Sequence, residues 1–251
     1  MIDTHAHLNF SDFDKDLEEV LARSWEKGIG NIIVVGSDLQ SSKKSIRIAE
    51  EDSRIKVGIG IHPQDIAELN RFDQIEKLAR LDQVVAIGET GLDYYRLDND
   101  DNKQKQKELF ELHIALAKEI KKPLIFHCRE AEHDFLNTVQ KLNGSGILHC
   151  FTGNWGFAKK ILNFGFKISF TGIITFTKDQ DLLEVVKKIP LEKIMVETDC
   201  PFLAPPPYRG KRCEPFMVSF IIDKIADLKK IPREQVAETT TVNARNFFGL
   251  W

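Results

Sequence analysis

Two histidines, His5 and His7, stand at alternate positions in the opening stretch "MIDTHAHLNF". In an extended strand, residues i and i+2 project from one face, so both imidazoles would enter the same space. Other residues able to bind a cation or move a proton recur at comparable places, the ends of short apolar runs. His62 closes "KVGIGIH", Glu89 closes "VVAIGE", His127 lies in "PLIFHC", His149 in "GILHCF", and Glu197 and Asp199 in "KIMVETD". Five of the seven histidines fall this way, whereas His113 and His133 lie in helical stretches. A lone histidine at a strand end reads most simply as a core imidazole hydrogen-bonded to backbone. Several imidazoles and carboxylates on one rim are costly to bury without a compensating cation, and mixed nitrogen and oxygen donors suit a divalent ion.

For these groups to converge, the runs carrying them must be neighbouring strands. Eight such runs, starting at Ile2, Asn31, Lys56, Val84, Pro123, Gly146, Phe166 and Lys193, alternate with amphipathic stretches such as "FDKDLEEVLARSWEKG" and "KDQDLLEVVKKIP". Near-continuous apolar strands indicate a parallel sheet covered on both faces. Eight βα units in a chain of this length predict an α/β fold, a closed (β/α)8 TIM barrel forming a single domain over residues 1–251. The alternative is an open doubly wound sheet, but no glycine-rich dinucleotide turn opens the chain. In a parallel barrel the catalytic groups gather at the carboxyl ends of the strands, where these residues fall. The stretch "REQVAETTTVNARNFFGLW" predicts a final helix packing its Phe and Leu residues on the barrel.

The chain has 251 residues and a formal charge of −3, so no global positive field draws in a polyanion. There is no long apolar run and no basic, apolar leader, which predicts a cytoplasmic protein without a membrane span, expected as a monomer. The four cysteines, Cys128, Cys150, Cys200 and Cys213, lack C-x-x-C spacing and are expected as reduced thiols. Cys150 and Cys200 each follow a candidate ligand directly, so alternation predicts that they point away from it.

The segments "DTHAHL", "GIHP", "IGETGLDYY", "HCRE", "HCFTG", "ETDCPFLAP", "RGKRCEP" and "NARNFF" together resemble the TatD-type metal-dependent hydrolases of the amidohydrolase superfamily. The likeness runs from Asp3 to Phe248. It implies two divalent ions, one held by His5, His7, Glu89 and Asp199, the other by His127 and His149, with Glu89 bridging both. It also makes His62 and Glu197 near-site residues rather than ligands. No lysine ends the fourth or fifth strand run to serve as a carboxylated bridge, since Lys121 and Lys122 only open the latter.

Two such ions activate water and clamp the oxygens of an in-line displacement at phosphorus, which suits phosphodiester hydrolysis. Asp199 is the candidate general base. Glu197 would orient water or ligands, or act as a salt-bridge partner inside the barrel. On the substrate side, Arg129 and the loop residues Arg209, Lys211 and Arg212 could bind phosphate, or the loop could be a solvated turn. Tyr94, Tyr95, Phe202 and Tyr208 could stack unpaired bases, or simply pack their loops. The resemblance further implies DNase action at a 3′ end of single-stranded DNA, with Mg, Mn or Zn as metal. The competing readings are hydrolysis of an ester or amide, as in an aminoacyl-tRNA deacylase, and a non-catalytic binding protein. Two positions depart from the family wording: Cys213 stands where asparagine is common, and Cys128 where serine or isoleucine is frequent. A thiol donates weakly, so the first departure predicts a weakened substrate contact.

Overall fold

Short runs of branched apolar residues, buried on both faces, become the strands of a computed structural model that describes residues 1–97, 99–142 and 146–250. The strands are β1 (Ile2–Ala6), β2 (Asn31–Val35), β3 (Ile55–Ile59), β4 (Val84–Asp93), β5 (Leu124–Arg129), β6 (Gly146–Leu148), β7 (Lys167–Phe170) and β8 (Ile194–Val196). They pair in parallel and in sequential order within one sheet. A helix follows each strand, for example Leu39–Glu51 after β2 and Asp100–Ile120 after β4. Side-chain caps fix several helix starts: Asp38 accepts from Ser41 N at 2.6 Å, and Asn154 from Phe157 N at 3.0 Å. All eight predicted strands are present, but β4 runs to Asp93, four residues past its expected end.

The sheet curls into a nearly closed barrel. At its seam, Asp199 N donates to His5 O (2.9 Å) and His7 N to Cys200 O (2.8 Å). Beneath them the buried Asp3 carboxylate accepts from Thr198 N (2.9 Å), Thr198 Oγ1 (2.6 Å) and His5 N (3.3 Å). These three hydrogen bonds offset part of the cost of burial, which nevertheless raises the Asp3 carboxyl to about 8.

Two apolar layers result. The larger lies between strands and helices; the smaller gathers Ile2, Ile33, Val35, Ala86, Ile125, Ile147 and Met195 inside the barrel. Ala244, Phe248 and Leu250 complete the inner layer, so the final helix Arg233–Phe248 packs its apolar residues on the barrel as expected. Asn243 ties that helix to Leu191 O and Ile194 O at the start of β8. The amino end of the barrel is therefore stoppered, and the carboxyl end is left for the polar groups. No described helix is long and apolar enough to cross a membrane.

Candidate metal centre

Strand alternation explains where three of the donors point. In β5, Ile125 faces the interior layer and Phe126 the outer one, so His127 faces inward again. By the same count His149 follows Ile147 and Glu197 follows Met195; Asp199, past the end of β8 and at positive φ, joins them from the following loop. In β1 and β4 the count fails: Ile2 and Ala86 are interior, yet His5, His7 and Glu89 have the opposite parity. Both strands slip register at that point, β1 between Asp3 and Ala6 and β4 between Ile87 and Thr90. Each irregularity moves the following side chains to the other face and aims them into the cavity.

The donors meet around Glu89, which is almost wholly buried. Its Oε2 lies 3.5 Å from His5 Nε2 and 3.9 Å from His7 Nε2. Its Oε1 lies 2.7 Å from His149 Nε2 and 2.8 Å from His127 Nδ1. One carboxylate thus divides its two oxygens between two imidazole pairs. Asp199 Oδ1 joins the first pair, 3.4 Å from His7 Nε2 and 3.9 Å from His5 Nε2. Asp199 has φ of 55° and Cys150 φ of 45°, conformations costly for residues with a Cβ and concentrated at functional sites.

Hydrogen-bond partners assign the ring nitrogens. His7 Nδ1–H donates to Val35 O at 2.9 Å, which leaves the lone pair of the neutral ring on Nε2, facing His5 Nε2 at 3.2 Å. His127 Nε2 is 3.1 Å from Asp93 Oδ2, so Nδ1 is the atom turned toward Glu89 and His149. His149 Nδ1 is 3.4 Å from Glu197 Oε1, and Glu197 is itself held by Cys150 N and Ser169 Oγ, both at 2.7 Å. His62 Nδ1 accepts from Gln64 N at 3.1 Å, leaving an N–H, not a lone pair, 3.7 Å from Glu89 Oε1. His62 thus turns a donor rather than a lone pair toward Glu89, and Glu197 approaches the cluster from behind His149.

The electrostatics follow from burial set against charge. Burial alone would raise the Glu89 carboxyl, but His149, His62 and His127 hold it well below the usual carboxylate range. Burial would likewise push His149 down, yet Glu89 and Glu197 hold it well above the ordinary imidazole range. His5 is lowered by burial and by the neighbouring His149, and burial drives His62 down to about 4. Asp65 at the cavity wall is raised by burial to about 6. The buried His5 Nδ1 has no hydrogen-bond partner among the described residues, and His149 Nδ1 has only the 3.4 Å approach of Glu197, outside hydrogen-bond geometry. Among the described residues, four groups of three donors come within reach of one another here: His5, His7 and Asp199; Glu89, His127 and His149; His5, His149 and Glu197; and His62, Asp93 and His127. Such mixed nitrogen and oxygen sets suit divalent ions.

The cavity above this cluster measures about 590 Å³ and is lined by His62, Gln64, Asp65, Arg129 and Thr152, and by an apolar side containing Phe10 and Phe202. Of the expected phosphate ligands only Arg129 lines it. Arg209 instead donates to Ala204 O (2.9 Å) and covers the Phe176 ring. Arg212 is bidentate on Asp16 (2.8 and 2.6 Å), and with Lys211 it borders a separate hollow beside Arg23. Tyr94 donates its hydroxyl to Asp134 at 2.8 Å, while Tyr208 packs on Phe216 and Phe220. Asp16, the partner of Arg212, comes from a distant segment, and the Ala204 carbonyl is turned to Arg209 by the fold of the loop itself, which is why the basic loop read as available.

Two expectations about thiols also change. Cys150 lines the cavity, because its positive φ breaks the alternation that would turn it away. Cys213 is completely buried, so it makes no substrate contact to weaken. Cys200 is buried away from the cavity as expected, and all four thiols are unpaired. Asp93 was missed as a site residue. It binds His127 and accepts from Gln64 Nε2 (3.0 Å) and Tyr95 N (2.9 Å). Its signal lay in "GETGLD", where positions 89, 91 and 93 share a face once the strand is allowed to continue.

A family model described as TatD related DNase matches residues 2–249. The uncharacterized metal-dependent hydrolase YabD of Bacillus subtilis (strain 168) is 42% identical over 254 residues, covering 99% of this chain and 98% of that protein. The protein named 3′-5′ ssDNA/RNA exonuclease TatD of Citrobacter rodentium (strain ICC168) is 34% identical over 261 residues, covering 100% and 98%. The crystal structure of YJJV, a TatD homolog from Escherichia coli K12, superposes with a TM-score of 0.93 at 27% identity, covering 100% of this chain and 98% of that one. With the barrel and the buried donor cluster at its carboxyl end, these matches make the chain a metal-dependent hydrolase belonging to the TatD related DNase family.

Proposed function

We propose that the protein hydrolyses phosphodiester bonds of nucleic acid, removing nucleotides from a 3′ end of single-stranded DNA. The observation that carries this reading is the division of the Glu89 oxygens between two imidazole pairs. It suits two divalent ions, one held by His5, His7, Asp199 and Glu89, the other by His127, His149 and Glu89. Magnesium, manganese or zinc, bound there, would supply Lewis acidity toward water and toward the charge that develops on a phosphoryl oxygen.

The chain's own groups do the rest. Asp199 is held low by its hydrogen bond to His7, despite burial, and stays ionised to accept the proton of the attacking water. Glu197 acts through His149, fixing its ring from behind. Arg129 stands on the cavity wall, where a guanidinium binds phosphate oxygens in a two-pronged fashion. The net charge of −3 gives little non-specific hold on a long polyanion, consistent with action at an end. The named exonuclease activity of the Citrobacter relative supports the same choice.

Digestion of end-labelled single-stranded oligonucleotides by metal-loaded protein tests the proposal. The expected result is a ladder shortening from the 3′ end, abolished by Asp199→Asn. Intact oligonucleotides alongside turnover of an amide or of an aminoacyl-tRNA ester would replace this reading with the carbonyl one.

A further inference from the structure

The cavity has two unlike walls. On one side stand Gln64, Asp65 and Arg129, the last placing its guanidinium carbon over the Tyr95 ring, 3.6 Å from its centre. On the other stand Phe10, Ile173, Phe202 and Leu203, whose side chains have no hydrogen-bonding atom. Phe202 is 51% exposed, and of the exposed large apolar side chains among the described residues it alone lines this cavity. Its backbone is fixed: Phe202 N donates to Asp199 O at 3.1 Å, and Asp199 and Leu203 carry φ of 55° and 58°. Phe10 stacks on the candidate ligand His7 (4.7 Å between centroids, 16° between planes) and meets Phe202 edge to face at 6.1 Å and 76°. A ladder of three rings climbs from the donor cluster to the rim.

We propose that Phe202, backed by Phe10, is the stacking surface for the unpaired base of the nucleotide being released. The inference rests on the phosphodiester reading above. A ligand must satisfy both walls at once, with a flat apolar end for the rings and an anionic end for Arg129 and the metal centre. An unpaired terminal nucleotide has that form, and its exposed π-face gains by leaving water. A base inside a duplex already has its faces covered by its neighbours. Because the aromatic wall offers no donor or acceptor, it grips the face of a base without reading its edge, and its preference among bases is set by stacking strength.

Steady-state digestion with manganese compares oligonucleotides ending in an ordinary 3′ nucleotide with ones ending in a tetrahydrofuran abasic analogue. Removing the base should raise KM about tenfold or more in the wild type. Phe202→Ala should raise KM on the ordinary end by a similar factor, Phe202→Trp should restore it, and in Phe202→Ala the loss of the base should add less than twofold. Additive losses, or equal KM for both ends in the wild type, would overturn the proposal. Binding is read separately with a 3′-terminal 2-aminopurine on Asp199→Asn protein. Its fluorescence should be quenched, and the quenching should vanish when Phe202→Ala is added. Quenching without cleavage by the wild type would keep the stacking and remove the nuclease reading; cleavage indifferent to the terminal base would do the reverse.

Discussion

At the scale of single residues, the centre depends on groups that hold the donors as much as on the donors. Asp93 fixes the orientation of His127 through the 3.1 Å hydrogen bond to Nε2, while Glu197 stands 3.4 Å from His149 Nδ1. Removing such a partner commonly costs 10 to 100-fold in metal affinity, about the effect expected for Asp93→Ala in a calorimetric titration with manganese. Affinity unchanged within twofold would show that the ring is held by its packing alone. Arg212 and Arg129 separate two uses of the same side chain. Arg212 is spent on Asp16, so Arg212→Ala should cost at most about 1 kcal/mol of stability and leave kcat/KM on oligonucleotides within about twofold. Arg129→Ala should raise KM. The reverse pattern would return the basic loop to the substrate.

At the scale of elements, the strand runs and their terminal donors were legible because alternation and apolar content are local properties. The register slips in β1 and β4 were not, since an irregularity depends on the neighbouring strand and not on the strand's own pattern. That His5 and His7 share a face could be read from their spacing; that this face is the interior could not. His113 shows a second limit. It lay in a helical stretch and offered no chemistry, yet it is wholly buried and joins the helix Asp100–Ile120 to the segment after β3. Its Nε2 accepts from Ile61 N (3.0 Å) and its Nδ1–H donates to Leu109 O (2.7 Å). Burial pushes its pKa down from 6.5 to about 4. The unfolded chain therefore binds the proton more readily than the folded one, and stability is full above about pH 6.5 and falls as pH drops toward 4. The loss is on the order of 3 kcal/mol. Denaturant titrations at pH 7 and 4.5 should show a steeper drop for the wild type than for His113→Gln. Parallel drops would mean that His113 does not carry the acid sensitivity.

At the scale of the whole molecule, the final helix stoppers the barrel opposite the donor cluster, so stability and chemistry occupy different ends. Phe248→Ala should cost about 3 kcal/mol and lower the melting temperature by roughly 10 °C, while metal stoichiometry stays unchanged. Loss of metal together with stability would show that the two ends are coupled. The long-range arrangement was the least legible part of the sequence. The burial of Cys213 and the pairing of Arg212 with Asp16 join segments far apart in the chain, and no local pattern marks them. In the proposed centre Glu89 serves two cations at once. Titration of the metal-free protein with manganese, followed by calorimetry and elemental analysis, tests it most directly. Two ions per chain are expected in the wild type and fewer than one in Glu89→Ala; a single ion in the wild type, or two retained without Glu89, would show that Glu89 does not bridge.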